Sequence, residues 1–307
     1  MTEVDPSDLR CAEASIHAGE PLAGTAAVAR HWLAVEESGA WARKPLRSRG
    51  LGELGEQLMG WDEAHPDLRI QLIRQPGRRN RSRRVFHADL ETGRLTHATL
   101  EDAELAELDP ETLFEGGLGS ELDGLLHLVC THGKRDDCCA LRGVPVYLAL
   151  AEAAAELPAS DQPELWQTSH LGGHRFAATL TTLPHGYCLG RVEPDEAPAI
   201  LAAGGLHRLD RIRGRSAWPK AAQVADHRLR SDLPEGHPAR LDPSAVHLRE
   251  VRESDGGWIV GLELVNMGAS AEAHELEVHE MMSPIEHPKS CGDAPVAVPR
   301  LLTKVKR

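Results

Sequence analysis

Short apolar runs recur along the chain, separated by turn-rich segments. HWLAV (31–35) is continuous enough for a buried strand. LGELGEQLMGW then spaces Leu51, Leu54, Leu58 and Met59 onto one helical face. RIQLIR (69–74) and RVFHAD (84–89) read as strands, and the QPGRRNRSR between them suits a hairpin loop. Residues 90–120 are acidic and predict a loop-rich junction, as residues 1–30 predict loop and arm.

The same order then returns. LLHLV (125–129) is a strand ending at Cys130, and VPVYLALAEAAAEL a helix with Pro145 suited to its first turn. ELWQTS is a strand that delivers His170. FAATLTTL and YCLGRV form a hairpin across Pro184, His185 and Gly186, and EAPAILAAGG is a closing helix ended by glycine. RGRSAWPKAAQVADHRLR adds a helix. AVHLREV, WIVGLELV and HELEVHEM are strands, the first two joined by a turn at Ser254, Asp255, Gly256 and Gly257. Strand, helix, strand, strand occurs twice, which predicts an α/β fold of two tandem halves with a thioredoxin-like layering. The expected units are an N-terminal α/β half at 1–115, a second domain at 116–235 and a small β-rich segment at 240–307.

With 41% hydrophobic but only 4% aromatic residues, cores of Leu, Val and Ala are expected. A net charge of −13 argues against general nucleic-acid binding. The arginines of QPGRRNRSR have no interleaved aromatics and read as a solvated basic loop. No run of eighteen apolar residues predicts a membrane span, and MTEVDPSDLRCAEAS lacks the basic and apolar regions of a signal peptide. Three of the six cysteines fall within ten positions, an unlikely disulfide framework, so a reducing cytoplasm is expected.

Candidate chemistry concentrates in HLVCTHGKRDDCCA and ELWQTSHLGGHRFAATL. Cys130 and Cys139 have eight residues between them, and His170 and His174 have three. Thiolates and imidazoles together point to a metal or iron–sulfur site. Zn2+ on a Cys2His2 set is one reading, although zinc knuckles usually bring their cysteines closer together. In a [2Fe–2S] centre the simplest arrangement puts two thiolates on one iron and two imidazoles on the other. A redox dithiol at Cys138 and Cys139 would close a strained ring. Singly, Cys130 reads as a buried small hydrophobe and each histidine as a loop hydrogen-bonder. The two glycines between the histidines let the backbone pass close to a bulky ligand. Lys134, Arg135 and Arg175 flank the candidates and either lower the local negative charge, meet a partner or are simply solvated.

CTHGKRDDCCA, the later SHLGGHRF and YCLGRV closely resemble the sucrase/ferredoxin-like family, as do PLAGTA, WLAVE and RGRS, so the resemblance spans most of residues 10 to 235. The resemblance implies a thioredoxin-like [2Fe–2S] ferredoxin. It implies Cys130, Cys139, His170 and His174 as cluster ligands in a C-x8-C and H-x3-H arrangement, with Cys138 as a neighbour. The expected function is electron transfer with a redox partner protein not named by the sequence, without nucleic acid or membrane. The alternative is a zinc-stabilised binding module without redox activity. Glycosidase chemistry would need a carboxylate pair across a sugar site, and nothing in the sequence designates one. The role of Cys291 in KSCGD is open.

Overall fold

The first half is built around its earliest strand. After α1 (Cys11–His17), β1 (His31–Glu36) is followed by α2 (Leu54–Ala64), β2 (Leu68–Arg74), β3 (Arg83–Asp89) and β4 (Arg94–Leu100). β1 pairs in parallel with β2 and antiparallel with β3. The expected β2–β3 hairpin is therefore absent: the chain crosses over β1, whose apolar run from Trp32 to Val35 is buried and belongs in the middle of a sheet. Nor is the crossover simply a solvated basic loop. Arg78 bonds buried Glu36 at 2.8 Å and Arg83 bonds buried Glu37 at 2.8 Å. The region expected to be mostly loop holds β4, paired along β3, then α3 (Asp102–Ala106), α4 (Pro110–Gly116) and the short β5 (Ser120–Glu121). Acidic flanks disguised β4, whose Leu95 and Thr96 are buried.

The second half repeats the plan. β6 (Leu126–Cys130), α5 (Asp137–Ala155), β7 (Glu164–Thr168), β8 (Leu180–Leu183) and β9 (Tyr187–Leu189) are followed by α6 (Ala197–Ala202) and β10 (Ile212–Arg215). β6 pairs in parallel with β7 and antiparallel with β8, as β1 does with β2 and β3. The halves join where β2 meets β7 antiparallel, Ile73 opposite Thr168 and Arg74 opposite Gln167. The result is one sheet ordered β10-β9-β8-β6-β7-β2-β1-β3-β4-β5.

α5 starts seven residues before the expected VPVYLALAEAAAEL helix, because Asp136 caps it by accepting from the Cys138 N–H at 3.0 Å. Pro145 consequently lies inside the helix rather than in its first turn, at the loss of one helical hydrogen bond. By length and composition α5 could cross a membrane. Here its Val146, Tyr147 and Leu150 pack into a core with Leu180, Leu189 and Ile200.

α7 (Lys220–Asp232) then lies on a four-stranded antiparallel sheet of β11 (Val246–Ser254), β12 (Gly257–Leu264), β13 (Glu272–Met282) and β14 (Pro299–Thr303). Ala222, Ala225 and Leu229 face Val246, Val260 and Leu262 across this layer. The turn at Ser254–Gly257 is as expected, with Gly256 at φ 80°. The fourth strand was not expected. The segment between β13 and β14 returns Cys291 to the ten-stranded sheet, where it meets α1 and α5. The computed structural model describes residues 9–79, 81–265 and 271–304. The first residues of the expected N-terminal arm and the end of the basic tail lie outside them, and from Cys11 the expected arm is helical.

Candidate metal centre

The two cysteines of interest come from different local structures. Cys130 closes β6, whereas Cys139 stands in the first turn of α5 instead of the loop the sequence implied. Both are buried. α5 crosses the end of β6 at Gly143, where a Cβ would run into the Cys130 carbonyl oxygen. Only glycine allows that approach.

His170 follows β7, and His174 begins a 3-10 turn at His174–Phe176. Cys139 Sγ and His170 Nδ1 are 3.8 Å apart. Cys130, Cys139 and His170 offer ligand atoms within 4.8 Å of one another, so this group could hold a metal. His174 is outside that tight group. Its ring centroid lies 5.0 Å from that of His170, and its Nε2 is 3.8 Å from Asp136 Oδ2. Its Nδ1 is buried without a hydrogen-bond partner among the described residues.

The thiols are held asymmetrically. Hydrogen bonding from Cys139 pulls the Cys130 thiol far below its ordinary range, with His170 adding to the effect. The same contact pushes the Cys139 thiol up. His132, in the same connection, is also buried, and burial lowers its pKa to about 4. Neither of its ring nitrogens has a hydrogen-bond partner among the described residues.

Two cations lie beneath these side chains. Arg69 donates to the His170 carbonyl at 3.3 Å, and Arg213 donates to the Gly172 carbonyl at 2.9 Å. Desolvation lowers both guanidinium pKa values, and buried Cys130 and Cys188 oppose that effect. The carboxylate of Asp62 also opposes the desolvation of Arg69. Gly172 and Gly173 have φ 87° and 69°, and a Cβ on Gly173 would meet the Arg213 guanidinium at 2.6 Å. The glycine pair thus accommodates a buried arginine, a different reason from the ligand approach inferred from sequence. Arg175, by contrast, is ion-paired: it bonds buried Glu20 at 2.9 Å.

The sucrase/ferredoxin-like family model matches residues 22–214. The chain belongs to the sucrase/ferredoxin-like family. No curated protein and no solved structure gives a match. The match covers both strand–helix–strand–strand halves of this family member and all four candidate ligands. Sequence reasoning missed Asp136, His132, Arg69 and Arg213 as neighbours of the candidates. Only Asp136 carried a local signal, as an N-cap residue three positions before Cys139.

Proposed function

We propose that this chain is an iron–sulfur electron-transfer protein whose [2Fe–2S] cluster is held by Cys130, Cys139, His170 and His174. The observation that carries the reading is the convergence of Cys130, Cys139 and His170 within 4.8 Å, with the His174 ring beside His170. The donor set suits such a group: two buried sulfurs, the Cys130 thiol held below its ordinary range by its neighbours, and an imidazole Nδ1 on His174 with no hydrogen-bond partner among the described residues. When bound, a [2Fe–2S] cluster supplies one-electron transfer.

The protein's own contribution is electrostatic and steric. β6 and Gly143 fix the Cys130 backbone, and the Asp136 cap fixes the turn that bears Cys139. Arg69 and Arg213 place positive charge under the site, favouring thiolates and any added electron. Half-buried His170 borders a groove of about 430 Å³ lined by Arg43, Lys44, Arg47 and Arg135 along with Asp62 and Glu63. This basic-rimmed approach suits a redox partner with an acidic docking face. A reducing, cytoplasmic setting accords with six free cysteines.

The compactness of the Cys130–Cys139–His170 group favours a second reading, since 4.8 Å is the span of a single-ion coordination shell. On that reading Zn2+ sits on the same Cys2His2 set and has a structural role. Metal and sulfide analysis separates the two. Protein purified anaerobically is expected to be coloured and to carry iron and acid-labile sulfide in equal amounts, about two of each per chain. A colourless chain whose metal is lost on replacing Cys130 or Cys139, and proves to be zinc, would overturn the cluster reading.

A further inference from the structure

A second group of metal-ligating side chains lies on the other side of the α5 N-terminus. Cys11 begins α1, Asp136 caps α5, Cys138 is in its first turn, and Cys291 comes from the segment between β13 and β14. Their ligand atoms all fall within 4.8 Å of one another. Cys138 Sγ is 3.5 Å from Cys291 Sγ, Cys291 Sγ is 3.6 Å from Cys11 Sγ, and Cys11 Sγ is 3.5 Å from Asp136 Oδ1.

We propose that Cys11, Cys138, Cys291 and Asp136 form a zinc site that staples the N-terminal helix and the C-terminal segment to α5. Zn–S bonds of about 2.3 Å put the sulfurs of a tetrahedral site about 3.8 Å apart, and a sulfur about 3.6 Å from a carboxylate ligand oxygen. The three separations fall within a few tenths of an ångström of those edges. Three thiols and one carboxylate complete the four positions that closed structural zinc sites use. A disulfide would consume only two of the three sulfurs, and all are free.

The surroundings are built rather than incidental. Asp136 has a fully buried side chain, and its Oδ2 accepts from Ser290 Oγ at 2.9 Å and from the Cys291 N–H at 2.8 Å. Those bonds hold the carboxylate orientation as outer-shell partners of metal sites do. Cys11 and Cys138 are buried, and Cys291 is partly exposed, which leaves a route of entry. Two of the four residues, Cys11 and Cys291, lie outside the span matched by the family model, so this group is not implied by that match. The bridged positions are 125, 153 and 280 residues apart, long loops whose closure a cross-link makes least unfavourable.

The test is zinc content of the full chain, purified under reducing conditions without chelator and then supplied with Zn2+. The expected result is about one tightly held zinc per chain, kept when Cys130 and Cys139 are replaced by serine and lost in Cys11→Ser and Cys291→Ser. In the wild-type chain itself, iodoacetamide is expected to modify Cys291, followed by Cys11 and Cys138, only after a chelator has removed the zinc. This second measurement stands even where a serine variant fails to fold. Three results would overturn the proposal: no zinc retained by the folded wild-type chain, zinc retained by Cys291→Ser but lost with Cys130 and Cys139, or a Cys138–Cys291 disulfide in the reduced preparation. Loss of iron and sulfide with zinc retained would instead bear on the first site alone.

Discussion

Cys138 and Cys139 are neighbours in the chain, yet their sulfurs belong to different side-chain groups. Cys139 Sγ faces His170 at 3.8 Å, while Cys138 Sγ faces Cys291 at 3.5 Å. Both stand in the first turn of α5, where successive residues point about 100° apart. Asp136 lies between the groups, one oxygen toward Cys11 and the other toward His174.

That divergence predicts opposite phenotypes for two adjacent substitutions. Cys139→Ser is expected to abolish or badly weaken the iron–sulfur absorption. Cys138→Ser is expected to keep that absorption and lose zinc. Visible spectra together with metal analysis check both; loss of the visible bands in Cys138→Ser but not in Cys139→Ser would exchange their assignments.

Gly143→Ala is expected to destabilise the fold by about 3 kcal/mol, the upper end for overpacking, because its methyl meets a backbone oxygen that cannot rotate away. Iron content should fall with it. Gly60→Ala, on an exposed face of α2 with nothing within 4 Å, should instead stabilise by roughly 0.5–1 kcal/mol. Thermal denaturation of the two variants gives the signs, and equal effects would remove the steric argument.

Removing the positive charge of Arg69 should lower the midpoint potential by tens of millivolts, since an added electron loses a buried cation beneath it. Arg69→Lys should recover most of the shift, and Arg69→Gln should not. Redox titration of both variants decides this. A potential that tracks neither charge would confine Arg69 to a structural role.

Acid stability should follow two buried histidines that belong to neither proposed ligand set. Desolvation lowers His87 and His127 to about 4. In the unfolded chain a histidine titrates near 6.5, so between these values the unfolded state binds more protons. Stability is therefore unaffected above pH 6.5, falls as pH drops below it, and levels off below about pH 4. Each histidine contributes about 3 kcal/mol to the loss. Urea midpoints of His127→Gln and wild type across this range check the slope, which the variant should reduce.

Much of the fold was legible in the sequence because its signals are local. The apolar runs at β1, β2, β6 and β7, the helical spacing around Leu54 and Leu58, and the glycine-marked turn after Asp255 each depend on residues a few positions apart. The two motifs that carry the resemblance are likewise contiguous, so Cys130, Cys139, His170 and His174 could be named as candidates. Where local signals conflicted, the reading failed. The acidic flanks outweighed the strand pattern of β4, and the apolar alanine run drew the start of α5 past the Asp136 cap.

The sequence by itself determined the family, the repeated strand–helix–strand–strand order and the candidate ligands of the first site. Tertiary structure alone decided that β1 divides β2 from β3, that β2 and β7 join the halves, and that Arg69 and Arg213 lie beneath the histidine loop. It also brought Cys11, Asp136, Cys138 and Cys291 together. Backbone propensity and side-chain period act over a few residues, whereas contacts across 125 to 280 positions form only when separate elements bury their surfaces against one another.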